Sequence, residues 1–338
     1  HRRTETNTNR LGRLGRSVSD LVAEDLAPQS GRATVDDGPF RREITMSRQT
    51  EHVRRWLTTQ AVPLWSEHGV DPAGLGAWEA LTHEGIPIRT RNKRIRIHPR
   101  QAQVFAAAAR TLSAPALADQ ARQLFRFGLS RADAASGRLP TVTTPDGAAQ
   151  DYPHELYDLA FFILAAAELT RIDPDRVDRL EDLKHSLDAL SEDRGWAENA
   201  GRRQPRRQNP HMHLFEAATE AFDISRDPYW RRVAEHCLSL FQTVFLQPDG
   251  HVLEYFTADW TPLRTGQRIE PGHIAEWIWL IHRYETVMQT ETGIDLCVMF
   301  QALLAGRDED GLLRDTLSPL AETRRLWPQT EFLRASLA

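Results

Sequence analysis

The sequence predicts an all-α fold, a toroid of paired helices, and two coincident periodicities point to it. Five segments begin alike: IHPRQAQVFAAAA around Arg100, ELYDLAFFILAAAEL around Tyr157 and Asp158, HMHLFEAATEAF around His213, GHIAEWIWLIHRY around His273, and PQTEFLRASLA around Glu331. Their key residues recur roughly every 56 to 60 positions, each with polar or ionisable residues in the first turn and an apolar helix behind them. Between the helix pairs lie Gly-centred stretches at nearly the same period: GLGAWEAL, SGRLPTV, DRGWAEN, DGHVLEYF and DGLLRDTL. The unit is loop, helix, loop, helix, longer than solenoid repeats of about 33 to 47 residues. Long loops and a single period suit a ring of helix pairs, an α/α barrel, with the Gly-centred stretches as short strands or hairpins on one rim.

Helical patterning covers about 48–67, 98–111, 114–129, 155–170, 174–190, 211–224, 228–246, 272–288, 293–306 and 328–338. VRRWLTTQAVPLW and DPDRVDRLEDLKHSL are amphipathic and suit an outer ring. AFFILAAAEL and WIWLI are apolar nearly all round, as helices covered on most sides must be. Asp173-Pro174 and Asp227-Pro228 each set a helix-favouring Pro after a capping Asp. Residues 1–45 lack sustained periodicity and are rich in Arg, Gly, Thr and Asp. They are expected to be a disordered tail or upstream sequence, leaving 46–338 as the folded domain.

The 338 residues suffice for one large domain or two ordinary ones. Apolar content of 41% and charged content of 26% are those of a soluble globular protein. A net charge of -5 gives no electrostatic footprint for nucleic acid, and no apolar run is long enough to span a bilayer. Cys237 and Cys297 lack metal-ligand spacing and read as thiols of a reducing compartment, the cytoplasm. No His-x3-His, Cys-x2-Cys, acidic triplet, Gly-rich phosphate loop or Ser-centred elbow is present, so neither a metal nor a cofactor is expected.

The chemistry centres on a His-x-x-Glu repeated 60 positions apart: His213 with Glu216, and His273 with Glu276. Residues three apart share a helix face, so each pair projects as a unit. A lone helical His is usually buried and satisfied by its neighbour; the duplicated spacing at two helix starts favours function instead. Histidine titrates near neutrality and can move protons, with Glu216 and Glu276 orienting the rings. His211 lies about 200° around the helix from His213, so it is placed at the rim or behind the pocket. Asn209 either caps its helix or contacts a substrate hydroxyl. Asp158 is either a pocket residue or a first-turn carboxylate held by the helix dipole. Arg94 and Arg96 are expected to be solvated.

The stretches W-x3-G-x-D with GLGAWE (65–79), RIRIHPRQAQVFA, YDLAFFILAAAE, RQNPHMHLFEA, EYFTADWTP, IEPGHIAEWIWLIHR and RLWPQTE together resemble the N-acylglucosamine 2-epimerase superfamily. That superfamily includes mannose isomerases, sulfoquinovose isomerase and cellobiose 2-epimerases. The resemblance implies an (α/α)6 barrel that interconverts free sugars through a cis-enediol without a redox cofactor. The NP-x-MH element looks more like the isomerase branch or the cellobiose epimerases, and mannose–fructose isomerisation is expected. The alternatives are 2-epimerisation of an N-acylglucosamine or cellobiose type, and a non-catalytic sugar-binding homologue. A hydrolase on the same toroid would need paired carboxylates, for which Glu216, Glu276 and Asp158 are available. Arg100 matches the family Arg that faces the sugar, where a planar, always-charged donor would hold a developing enediolate; otherwise it is a structural Arg paired with a rim carboxylate. Tyr157 begins the second inner helix beside Asp158 and is placed with the substrate-binding residues, and Trp327 and Glu331 match the family's W-P-Q-x-E, where they help line the pocket. The expected partner is a monosaccharide or small disaccharide, neither nucleic acid nor membrane, and the chain a monomer or homodimer. Two departures stand out. His98-Pro99 replaces the usual Gln and small residue, and the period puts a sixth inner helix, with the family's third active-site His, near position 389. The domain is therefore expected to be C-terminally incomplete and this 338-residue chain to show little turnover.

Overall fold

The computed structural model of the chain describes residues 31–33, 44–46 and 48–338. Residues 1–61 and 62–338 form two compact units. In the first, strand β1 (Gly31–Ala33) pairs antiparallel with β2 (Ile44–Met46), Gly31 opposite Met46. Helix α1 (Arg48–Trp56) continues as a π-helical turn, Leu57–Ala61. Within the segment expected to be a disordered tail or upstream sequence, residues 31–33 pair with 44–46, and the rest of 1–45 lies outside the described residues.

The second unit runs α2 (Val62–His68), α3 (Ile97–Leu112), α4 (Pro115–Leu129), α5 (Leu156–Ile172), α6 (Asp178–Asp188), α7 (Gln208–Ser225), α8 (Pro228–Leu240), α9 (Pro271–Met288), α10 (Leu296–Leu304) and α11 (Leu326–Ala335). Helices α3, α5, α7, α9 and α11 pack each against the next, and the first four turn back into α4, α6, α8 and α10. The inner helices run parallel. Arg100 meets Tyr157 where α3 and α5 begin, and Arg110 meets Glu168, at 3.1 Å, where they end. This is the architecture of an (α/α)6 barrel, without a closed sheet.

Burial separates the two rings as the patterning predicts. In α5, thirteen of the 17 residues are buried, including Phe161, Phe162, Ile163 and Leu164. The outer α6 buries only Leu180, Leu183 and Leu187, one stripe at helical spacing. At about 1.5–3 kcal/mol for each fully buried large apolar side chain, the inner ring carries most of the hydrophobic stabilisation. Where the inner helices end, ion pairs link Arg171 to Glu168, Glu220 and Asp223, and Arg283 to Glu220 and Asp223, across α5, α7 and α9. They form a polar floor beneath a cavity of about 220 Å³ lined by Gln103, Leu164, Glu216, Thr219, Trp279 and Arg334. Val104 on α3 and Leu326 and Leu333 on α11 remain exposed.

Four of the five Gly-centred stretches are small rim hairpins, closed by the bridges Val70↔Ala77, Ser191↔Trp196, Leu246↔Val252 and Arg307↔Leu313, and SGRLPTV instead leads into the strand Val142–Thr143. Strands β3 (Lys93–Arg94) with β4 (Val142–Thr143), and β5 (Arg206–Arg207) with β6 (Tyr255–Phe256), tie neighbouring loops together. Asp227 caps α8 through the Tyr229 N–H at 2.8 Å. Asp173 does not cap. Its carboxylate is taken by Arg122 at 2.6 and 2.9 Å and by Arg179 at 3.0 Å, and the chain passes through a 3₁₀ turn, Pro174–Arg176, before α6. Among the described residues no helix is long and apolar enough to cross a membrane.

Candidate active site

The polar residues at the starts of the inner helices fall into two sets with different work. The first set fastens the rim hairpins. His98 Nδ1 accepts the Ala77 N–H at 3.1 Å, His154 Nδ1 the Leu139 N–H at 3.1 Å, and His211 Nε2 the Trp196 N–H at 3.2 Å. Gln329 Oε1 takes the Leu313 N–H in the same way at 2.9 Å. Burial pushes the His98 and His211 imidazoles down to about 3 and lowers His154 as well, so these rings are neutral clamps. His211, expected at the rim or behind the pocket, is fully buried, and Nδ1–H donation to the Arg207 carbonyl at 3.1 Å fixes its tautomer.

The second set lies two or three residues further on: Arg100, Tyr157, His213, His273 and Glu331. Helical spacing rotates these side chains away from the clamps, and because the inner helices are parallel they converge at one end. The Arg100 guanidinium donates to the Tyr157 hydroxyl at 3.3 Å and lies 4.3 Å over the Phe161 ring. Among the described residues no carboxylate lies within ion-pair distance of it, so the reading of a rim-paired structural Arg does not hold. Tyr157 packs edge-on against His213, with centroids 5.1 Å apart, and Phe161 packs on the same imidazole at 4.7 Å.

The two His-x-x-Glu units do not act as separate pairs. His213 Nδ1 is 3.6 Å from Glu216 on its own helix and 3.6 Å from Glu276 on α9. Glu276, expected to orient His273, faces His213 instead. Glu331 joins this group: burial first, and then the Glu276 charge, raise its carboxyl to about 7 although Arg334 bonds it at 3.0 Å. Burial works against the Glu216 charge too, but His213, Arg334 and Arg100 hold that carboxyl below its ordinary value.

The partner of His273 comes from a rim hairpin. Glu254 Oε1 lies 2.8 Å from His273 Nδ1 and is itself buried. Trp277 Nε1–H donates to Gln208 Oε1 at 2.8 Å, which turns the Gln208 amide N–H toward Glu254 Oε2 at 3.0 Å. Burial alone would lower the His273 pKa; the Glu254 carboxylate, with the charges of Glu270 and Glu276, outweighs it and raises the ring to about 9. The Asn209 amide sits 2.8 Å from His273 Nε2 and makes no cap, so it belongs to the site. An amide offers its nitrogen to a neutral ring or its oxygen to an imidazolium, which suits a group that changes protonation. Trp327 packs on His273 at 5.2 Å. Gly272 makes that possible, since a Cβ there would lie 2.5 Å from the indole.

Asp158 is not a pocket residue. It is fully buried, paired with Arg96 at 2.7 Å, and burial raises its carboxyl to about 7. Arg96 is therefore not simply solvated: it bridges Asp158 to the Tyr157 ring, 4.8 Å away. Arg94 is exposed but paired with Glu79. Glu254 had a faint signal in the sequence. Glu79, Glu198, Glu254 and Asp315 each stand two residues beyond the hairpin positions Ala77, Trp196, Val252 and Leu313. Three of these acids bind an Arg further along the chain, namely Arg94, Arg207 and Arg325, and Glu254 alone meets a histidine.

Comparison with known proteins fits this geometry. The family described as N-acylglucosamine 2-epimerase (GlcNAc 2-epimerase) matches residues 76–338. A Rhizobium meliloti (strain 1021) protein named mannose-6-phosphate isomerase is 32% identical over 314 residues, covering 86% of this chain and 79% of its own length. A Thermobifida fusca protein named D-mannose isomerase is 29% identical over 230 residues, with 58% of this chain and 56% of that protein covered. The fold is shared with the solved structure of cellobiose 2-epimerase from Spirochaeta thermophila, at a TM-score of 0.75 and 23% identity over 83% of this chain and 76% of that one. With its family match running from the first rim hairpin to its last residue, the chain belongs to the N-acylglucosamine 2-epimerase family.

Proposed function

We propose that this chain carries the site of a sugar isomerase of the mannose–fructose type, acting through a cis-enediol. The observation that supports this reading is the unlike setting of the two histidines. His273 is held as an imidazolium by Glu254, so at neutral pH it is a general acid beside the substrate carbonyl oxygen. His213, with Nδ1 directed between Glu216 and Glu276, keeps a lone pair on Nε2 and is the base. It takes the proton from carbon 2 of the open-chain aldose, and Arg100, with no carboxylate at ion-pair distance among the described residues, stabilises the enediolate. Returning the proton to carbon 1, while the now neutral His273 takes the hydroxyl proton from oxygen 2, gives the ketose. Positioned acid–base groups of this kind contribute about 10²–10⁴ in rate.

Free sugar is preferred over sugar phosphate because three of the rim arginines are already neutralised: Arg203 by Glu155, Arg207 by Glu198 and Arg325 by Asp315. The name of the Rhizobium meliloti relative makes mannose 6-phosphate the substrate to compare. Returning the proton to the opposite face of carbon 2 would instead be 2-epimerisation, the reaction in the family's name. Two free thiols, Cys237 and Cys297, fit a cytoplasmic setting. Incubation with mannose, mannose 6-phosphate, N-acetylglucosamine and cellobiose in D2O, followed by proton NMR, tests the reading. Deuterium at carbon 1 of fructose supports isomerisation, deuterium at carbon 2 of an aldose product supports epimerisation, and no carbon-bound deuterium with any sugar removes both.

A further inference from the structure

The two histidines differ in how their Nδ1 atoms are satisfied. His273 Nδ1 has a hydrogen-bond partner at 2.8 Å. His213 is 8% exposed, and its Nδ1, among the described residues, has no hydrogen-bond partner. That nitrogen lies 3.6 Å from Glu216 Oε2 and 3.6 Å from Glu276 Oε1, too far for a hydrogen bond to either. The three donor atoms lie within 4.8 Å of one another. In a tetrahedral zinc site with donor distances of about 2.1 Å, neighbouring donors are about 3.4 Å apart. In the His213 cluster both edges from the imidazole nitrogen come close to that spacing, at 3.6 Å, whereas the group formed by His273, Glu254 and Glu270 has its shortest edge closed by a proton.

We propose that His213, Glu216 and Glu276 form a binding site for a borderline divalent cation of the zinc class, and that the ion inhibits by replacing the proton on His213 Nδ1. One imidazole nitrogen and two carboxylates are the donor set such ions take, with a fourth position left for water. Glu331, beside Glu276 and Glu216, has its carboxyl raised to about 7 and adds only part of a negative charge at neutral pH. Arg334, 3.8 Å from Glu216, and Arg100 oppose the ion and limit its affinity. Binding releases the Nδ1 proton to solvent. It also pins a ring whose Nε2 must alternately take and give a proton. Sequence spacing showed no metal motif because the ligands come from two helices, 60 residues apart at Glu216 and Glu276.

The test is binding of Zn²⁺ by calorimetry, and of Co²⁺ by visible absorption, to chelator-treated protein checked by circular dichroism. One ion should bind, weakened about tenfold or more in Glu216→Gln and in Glu276→Gln and unchanged in Glu254→Gln. No binding to the unaltered chain, or a loss confined to Glu254→Gln, overturns the assignment. Should either glutamine variant misfold, affinity in the unaltered chain decides. It should fall as pH drops and protons compete for His213, and a pH-independent affinity overturns the site. These readouts need no turnover, so they stand apart from the isomerase reading. With active enzyme, Zn²⁺ should inhibit and EDTA reverse the inhibition.

Discussion

Glu254→Gln removes one charge and little volume from the second histidine. The carboxylate sits 2.8 Å from His273 Nδ1, and both side chains are nearly inaccessible, at 4% and 8%. The His273 pKa stands at about 9 against an ordinary 6.5, which corresponds to about 3 kcal/mol in favour of the imidazolium. Without Glu254, burial is opposed only by Glu270 and Glu276, so the pKa should fall by more than one unit. A pH profile of mannose turnover should then show its alkaline limb shifted to lower pH, with kcat lower by about 10² or more on the alkaline side. Stability gives an independent check. A group whose folded pKa is raised contributes stability fully below about 6.5, and that contribution is lost as pH rises through about 9. The Tm of the variant should therefore lie furthest below that of the unaltered chain under acidic conditions, and the gap should close above about pH 9. An unmoved alkaline limb, or a Tm gap independent of pH, would refute the assignment of Glu254 as the residue that positions and charges His273.

His98 and His211 are held neutral, with pKa values lowered to about 3, so their contribution is present above about 6.5 and lost as pH falls toward 3; denaturant titrations across that range should show the loss. His98→Gln should keep the clamp, as Gln329 does, and flatten this acid limb by one proton, about 1.4 kcal/mol per pH unit; an unchanged slope would mean His98 titrates normally. Gly272→Ala puts a Cβ 2.5 Å from Trp327, which should displace the indole from His273, cost about 1–3 kcal/mol of stability and raise KM for the sugar; unchanged KM and Tm would show that the indole is not fixed there. Asp158→Ala leaves Arg96 without its buried partner and should destabilise by about 3–5 kcal/mol while leaving the pH profile in place. A changed profile with unchanged Tm would restore Asp158 to the pocket.

The sequence alone determined the ring of helices and most of the convergent residues. A helix exposes its environment as a 3.6-residue pattern, and a repeated unit exposes its architecture as a long period, so both are local and additive along the chain. That is why AFFILAAAEL was legible as an inner helix and why Arg100, His213, His273 and Glu331 were singled out at equivalent positions. Only the tertiary structure decided which side chains meet. Glu276 is three residues from His273, yet it turns to His213, because parallel inner helices bring neighbouring first turns as close as successive turns of one helix. Glu254 is 19 residues from His273 and reaches it at 2.8 Å because a rim hairpin folds over the start of α9. His211 and His213 differ by two positions in sequence. About 200° of helical rotation sends one into a buried clamp held at about 3 and the other into the site. The residue types are written in the chain, but burial and the approach of charges from other elements set which of them carry protons.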